Sequence, residues 1–150
     1  MLSLPATRMR LMAVRAGSGL AQWLALAIVS SLAIPVSSPA IRESYPVVAA
    51  LVHGVCLFSG GAMIYSLALL LSTVFGDLWR PWLITLAIAM PVAFAEQVAQ
   101  ASSAIGLSPV MSGEQFFRTG HLPWAGLAFA FATSAALLYL AALNFERRDF

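Results

Sequence analysis

Apolar positions along this chain fall into long uninterrupted runs, separated by short connections that hold nearly all of its charge. Four runs are long enough to cross a bilayer, since a hydrocarbon core of about 30 Å takes roughly 20 helical residues to span. They cover residues 19–36, 46–75, 81–98 and 122–144. Helix is the assignment for each, because a lipid-exposed backbone must satisfy its own hydrogen bonds and strands do so only in a closed barrel. No alternating barrel pattern is present. The predicted fold class is therefore all-α: a polytopic membrane helix bundle of four transmembrane helices, forming a single transmembrane domain.

Composition agrees with that pattern. Hydrophobic residues make up 61% of the 150 positions and charged residues 9%, too few charges to cover a soluble domain of this size. The mean hydropathy is +0.88. Charge then sets orientation. All eight basic residues are arginine. Arg8, Arg10 and Arg15 precede the first span, Arg80 lies between the second and third, and Arg147 and Arg148 follow the fourth; Arg42 and Arg118 fall on the other side. The positive-inside rule places both termini in the cytoplasm, which an even number of spans also requires. Residues 1–18 then form a cytoplasmic amphipathic start, 99–121 an outer cap and 145–150 a cytoplasmic tail, in a multi-pass protein of the inner (plasma) membrane. The net charge of +2 reports topology, and arginines spread over three sites make too weak a phosphate footprint for a nucleic-acid partner.

A second reading of the start stays open, because arginines, an apolar run and Ser37-Ser38-Pro39-Ala40 also mimic a signal peptide with its cleavage site. Against it, leader and run together are long for a signal, and Pro39 sits awkwardly beside a cleavage bond. The single Cys56 lies inside the second span, so no disulfide framework exists and the thiol is read as a small packing residue.

The connections differ in kind. Gly76-Asp77-Leu78-Trp79-Arg80-Pro81 predicts a tight cytoplasmic turn, with Gly76 stopping one helix, Pro81 suiting the first turn of the next, and Trp79 and Trp82 at interfacial depth. The stretch 99–121 is too long and too mixed for a turn. Its serines and glycines, followed by the amphipathic Glu114-Gln115-Phe116-Phe117-Arg118, predict a partly helical cap of short interfacial or re-entrant helices, or else a loop.

The second span is rich in small residues, which permit close helix approach where lipid supplies no hydrophobic drive. Its Gly60-Gly61 pair also weakens the helix by roughly 1 kcal/mol per glycine relative to alanine, so tight packing and a bend are both open. Polar groups at membrane depth are candidates for function. Glu96 lies about 24 Å along the third span from Arg80, near its outer end, and His53 about 10 Å into the second from that outer side, so the two can share a layer in the outer half as pathway candidates. Glu96 also reads as a snorkelling interfacial carboxylate, and His53 as a hydrogen-bonded packing histidine.

Catalytic and cofactor chemistry finds no footing. The two histidines lie at different depths, and no HExxH, CxxC, paired intramembrane Asp or Gly-rich phosphate loop occurs. No catalytic residue, metal site or cofactor is expected; any ATP must be bound by another chain.

Three stretches carry a family resemblance. Leu4-Pro5-Ala6-Thr7-Arg8-Met9-Arg10-Leu11 followed by Arg15 resembles the LP-small-Ser/Thr-Arg segment at the cytoplasmic connection between the second and third spans of ABC-2 type permeases. The segment 65–75, YSLALLLSTVF, is similar to their fourth span, and Asn144-Phe145-Glu146-Arg147-Arg148-Asp149-Phe150 looks like the F-x-R-R-D tail with which many of them end. The match covers nearly the whole chain in order. Such permeases usually have six spans, and this chain resembles their last four. The resemblance implies a permease component of an ABC-type exporter, with Arg8, Arg10 and Arg15 coupling to a cytoplasmic ATP-binding subunit. The remaining partners would be the lipid bilayer and either a second permease copy or the missing N-terminal half. The alternative is a stand-alone four-helix membrane scaffold or regulatory protein with no transport activity.

Overall fold

Helix-forming side chains dominate from Arg8 onward, and in the computed structural model a single helix, α1, runs from Arg8 to Ser37. The structure is described over residues 8–38, 45–77, 79–98 and 107–147. It continues with α2 (Val47–Val74), α3 (Trp79–Val98), the short α4 (Leu107–Ser112) and α5 (Glu114–Thr119), and α6 (Trp124–Arg147). Among the described residues all regular structure is helical. Helices α1, α2 and α6 are long and apolar enough to cross a membrane. The chain is a multi-pass membrane protein. Helix α3 is shorter, at 20 residues, and carries Arg80 and Glu96 near its two ends.

The first span thus begins eleven residues earlier than the apolar run at 19–36 suggests: residues 8–18 are the opening turns of α1 rather than a separate element. Hydropathy marks where a helix meets lipid, whereas helix propensity carries the backbone on past it, and Arg10, Leu11, Met12 and Ala13 are all good helix formers.

Helix α2 is the centre, packed against α1, α3, α4 and α6. Its core-facing stripe is built mostly from small residues, and among the described residues the largest fully buried side chains are Cys56, Ser31, Ser59 and Ser66. Large apolar groups such as Val29, Val36, Phe94 and Tyr139 point outward. That inversion is what lipid imposes: burying a leucine between helices brings no transfer gain over leaving it among acyl chains, so close backbone approach and van der Waals contact decide the seams. The buried hydroxyls satisfy themselves along their own helices, Ser59 donating to the Cys56 carbonyl at 2.8 Å and Ser66 to that of Ala62 at 2.7 Å.

Two contacts align α2 and α6 as parallel neighbours. Leu127 packs with Cys56 and Val110 near one end, and Asn144 Nδ2 donates to Thr73 Oγ1 at 3.0 Å near the other, each α2–α6 pair 71 residues apart in sequence. Helix α1 runs antiparallel to α2, since Gly19 lies against Tyr65, Trp23 against Gly61, and Ala27 and Ser31 against Gly54. The start of α1, the α2–α3 turn and the end of α6 therefore share one end of the bundle, joined by the Met12, Leu69 and Ala141 cluster. Arg10, Arg15, Arg80 and the C-terminus of α6 all sit there, and Arg118 on α5 sits toward the other. At the turn, Phe75 adopts an extended backbone that ends α2, and Arg80 pairs with Asp77 at 2.9 Å.

Asn144 is the one interhelical side-chain hydrogen bond seen on this seam among the described residues, and interhelical bonds of this kind contribute about 0.6 to 1.7 kcal/mol. Asn144→Ala and Thr73→Val are each expected to lower unfolding stability in mixed micelles by that amount, and the double variant by no more than either alone. Additive losses would mean the two groups act separately.

Candidate functional site

Between α2 and α3 lies a gap that no side chain of the described residues fills. The result is a cleft of about 650 Å³. One wall is α2, through His53, Leu57, Ile64, Tyr65 and Ala68; the other is α3, through Trp82, Thr85, Leu86, Met90 and Ala93; Met111 and Ser112 of α4 close one end. No Arg, Lys, Asp or Glu is among the described residues lining it.

The end wall is the part that sequence reasoning placed least well. The cap expected over 99–121 does contain two short helices, but α4 does not merely lean on the helix tips. Met111 lies over Gly60, thirteen residues into α2 and so about 20 Å along a helix about 42 Å long. Val110 is buried with Cys56 and Leu127. The chain reverses at Gly113, whose φ of 68° is left-handed and would strain any L side chain, and whose Cα faces Cys56. Helix α5 then leads away, with Phe117 meeting Tyr45 at 6.4 Å between ring centroids and Glu114 paired to Arg118 at 2.7 Å. Gly60 is thus the floor on which α4 rests, and Gly61, one residue on, is where the Trp23 indole of α1 lies. Helix α2 passes through both as one uninterrupted helix.

His53 anchors that end wall. Its Nδ1 is 3.2 Å from the Ser112 carbonyl oxygen at the end of α4. A carbonyl only accepts, so Nδ1 carries the proton, and in the neutral ring Nε2 is left as an acceptor; this tautomer is assigned from its partner. Glu96 is partly buried in the last turn of α3 and is not among the residues lining the cleft. The structure thus brings His53 to the cleft and leaves Glu96 beside it.

At the other end, Tyr65 spans from the cleft to α1. Its hydroxyl donates to the Arg15 carbonyl at 3.0 Å, while its ring covers Gly19. Arg10 and Arg15 are exposed on the first turns of α1, where Arg8 begins the helix. The Leu4–Thr7 part of the permease-like stretch, Arg42, residues 99–106 of the cap and Arg148–Phe150 of the tail lie outside the described residues. Tyr65 and Met111 were missed as site residues by sequence reasoning; the only signal available was that each faces a glycine, which no spacing rule reveals.

Among the described residues no cluster of His, Cys, Asp and Glu is arranged to hold a metal. Comparison with protein-family models, with curated proteins and with solved structures finds no match to this chain.

Proposed function

We propose that the chain is the membrane-spanning permease component of an ABC-type exporter of the ABC-2 type, moving a substrate with ATP hydrolysed by a separate cytoplasmic subunit. In this reading α3 also crosses the membrane, as the third of four spans, both termini are cytoplasmic, α4 and α5 form the outer cap, and the membrane is the inner (plasma) membrane. The observation that carries it is Tyr65. Its ring lines the cleft and its hydroxyl holds the backbone of Arg15, so the arginine-bearing turns of α1 and the cleft wall are mechanically one piece.

Three features support the coupling. The arginines sit on the rigid start of a 30-residue helix, and a push there is delivered along its length. That helix meets α2 at Gly61 and Gly54 with no large side chain of α2 between them to absorb the motion. The α2–α3 turn with Arg80 lies at the same end, available to the same partner. ATP-driven movement of the partner would then shift α1 and α2 as a rigid body against α3 and widen or close the cleft. His53 lies in that pathway, Glu96 beside it, and a second permease copy or the two further spans of a six-span permease would complete its wall.

Glu substitution of Arg8 and Arg10 tests the reading. The double variant is expected to insert normally, since Arg15, Arg80, Arg147 and Arg148 still set topology. It should retain less than about a tenth of the ATPase activity that co-purifies with the parent from solubilised membranes, the loss of roughly two charge contacts at a protein interface. Undiminished co-purifying activity would remove the coupling role, and a parent chain that carries no ATPase at all would point to the membrane scaffold instead.

A further inference from the structure

The polar atoms lining the cleft share a property that no single one of them reveals. Thr85 Oγ1 donates to the Pro81 carbonyl at 2.7 Å, Tyr65 to that of Arg15 at 3.0 Å, and Ser112 Oγ to that of Pro109 at 3.2 Å. Each hydroxyl has one proton, and each proton is committed to backbone. His53 has donated its Nδ1–H to Ser112, and Nε2 has no partner among the described residues. Trp82 supplies the remaining donor, the indole N–H, from the arginine-rich end of α3, far from His53. With the His53 ring neutral, the described residues at that end of the cleft offer lone pairs and no uncommitted side-chain proton.

We propose that this cleft binds a neutral amphiphile whose head group carries hydroxyl donors, and that it discriminates against anionic lipids. The head group hydrogen-bonds to His53 Nε2 beside Ser112, and the chain lies along Leu57, Ile64, Leu86 and Met90 toward Trp82. From His53 to Ala68 the groove runs about 22 Å along α2, longer than the roughly 15 Å that the chains of one leaflet occupy. Among the described lining residues a phosphate or carboxylate placed there would meet lone pairs and no cation, so its charge would go unpaired. A hydroxyl meets an acceptor and brings no charge. As a statement about cargo the inference rests on the permease reading; as a statement about the cleft it stands on binding alone.

Binding is measured on the full chain in phosphatidylcholine nanodiscs with three chain-brominated probes: a monoacylglycerol, its di-O-methyl ether, and the ionised fatty acid. Bromine in the cleft quenches Trp82, read in a variant with Trp23, Trp79 and Trp124 changed to Phe. Retention of the same probes by the parent chain is followed in parallel by native mass spectrometry, which needs no tryptophan substitution. The monoacylglycerol is expected to quench and be retained, with the ether about fivefold weaker, the loss of one hydrogen bond, and the fatty acid no better than the ether. His53→Phe should bring the monoacylglycerol down to the level of the ether. His53→Gln, which can satisfy Ser112 and still present an oxygen, should keep the preference. Equal binding of alcohol and ether, preference for the fatty acid, or failure of the monoacylglycerol to displace phosphatidylcholine would each overturn the assignment. The permease reading is tested by co-purifying ATPase and by topology and this one by lipid binding, so the two outcomes are separable.

Discussion

Gly61→Leu is expected to unfold the α1–α2 pair, and Trp23→Ala is expected to restore it. A Cβ built at Gly61 falls inside the Trp23 indole, far closer than any real carbon contact, so a side chain there cannot coexist with the ring in its present position. Overpacking of this kind costs about 1 to 3 kcal/mol in soluble cores. Here the partly buried indole must leave the seam altogether, which also removes the contacts that hold α1. The loss should be read as the folded fraction in mixed micelles, and the double variant Gly61→Leu/Trp23→Ala should recover most of it, because the new side chain takes the space the ring vacates. Gly54→Leu provides the contrast. Its Cβ would lie 2.7 Å from Ser31 Oγ and 3.2 Å from Ser31 Cβ, with the Ala27 carbonyl 3.6 Å away, so even Ser31→Ala leaves a carbon in the way and rescue should fail. Equal rescue at the two glycines would mean that the helices part freely and that the α1–α2 seam does not transmit motion.

The second large effect is all-or-none. Asp77 and His121 are both exposed, at opposite ends of the bundle. With the proposed orientation, a membrane-impermeant thiol reagent applied to intact cells should label His121→Cys and leave Asp77→Cys unlabelled until the cells are opened. Cys56 is fully buried and is replaced by alanine to give a silent background. Labelling of Asp77→Cys from outside would invert the topology and with it the cytoplasmic placement of Arg10, Arg15 and Arg80 on which the coupling proposal depends.

Much of the architecture is legible in the chain. Helices α2 and α6 begin and end within three residues of the apolar runs read at 46–75 and 122–144, because lipid exposure writes itself into composition over a whole span. The turn at 76–81 follows the same logic, with Pro81 in the first turn of α3 and Asp77 reaching Arg80. The start of α1 was less legible, since polar residues at 8–18 look like a separate segment when only hydropathy is consulted. Of the site residues, His53 and the two glycines carried a signal, being a polar group and small groups at depth. Glu96 carried the same kind of signal and stands outside the cleft's lining, one helical turn beyond Ala93 on the same stripe of α3.

Sequence alone determines that this chain is a helical membrane protein, which stretches are apolar enough to cross, and which connections hold the arginines. Those are properties of length, composition and local backbone chemistry, and no other part of the chain can change them. Tertiary structure alone decided that Met111 rests on Gly60, that the Ser112 carbonyl accepts from His53 Nδ1 59 residues away, and that Tyr65 reaches Arg15 across 50. Inside a bilayer no hydrophobic gain tells one apolar face from another, so the choice of neighbours passes to surface relief: where glycine leaves room, and whose side chain fits it. The α2 glycines are filled in this way by Met111, Trp23 and Ser31, and the cleft lies beside them, between α2 and α3.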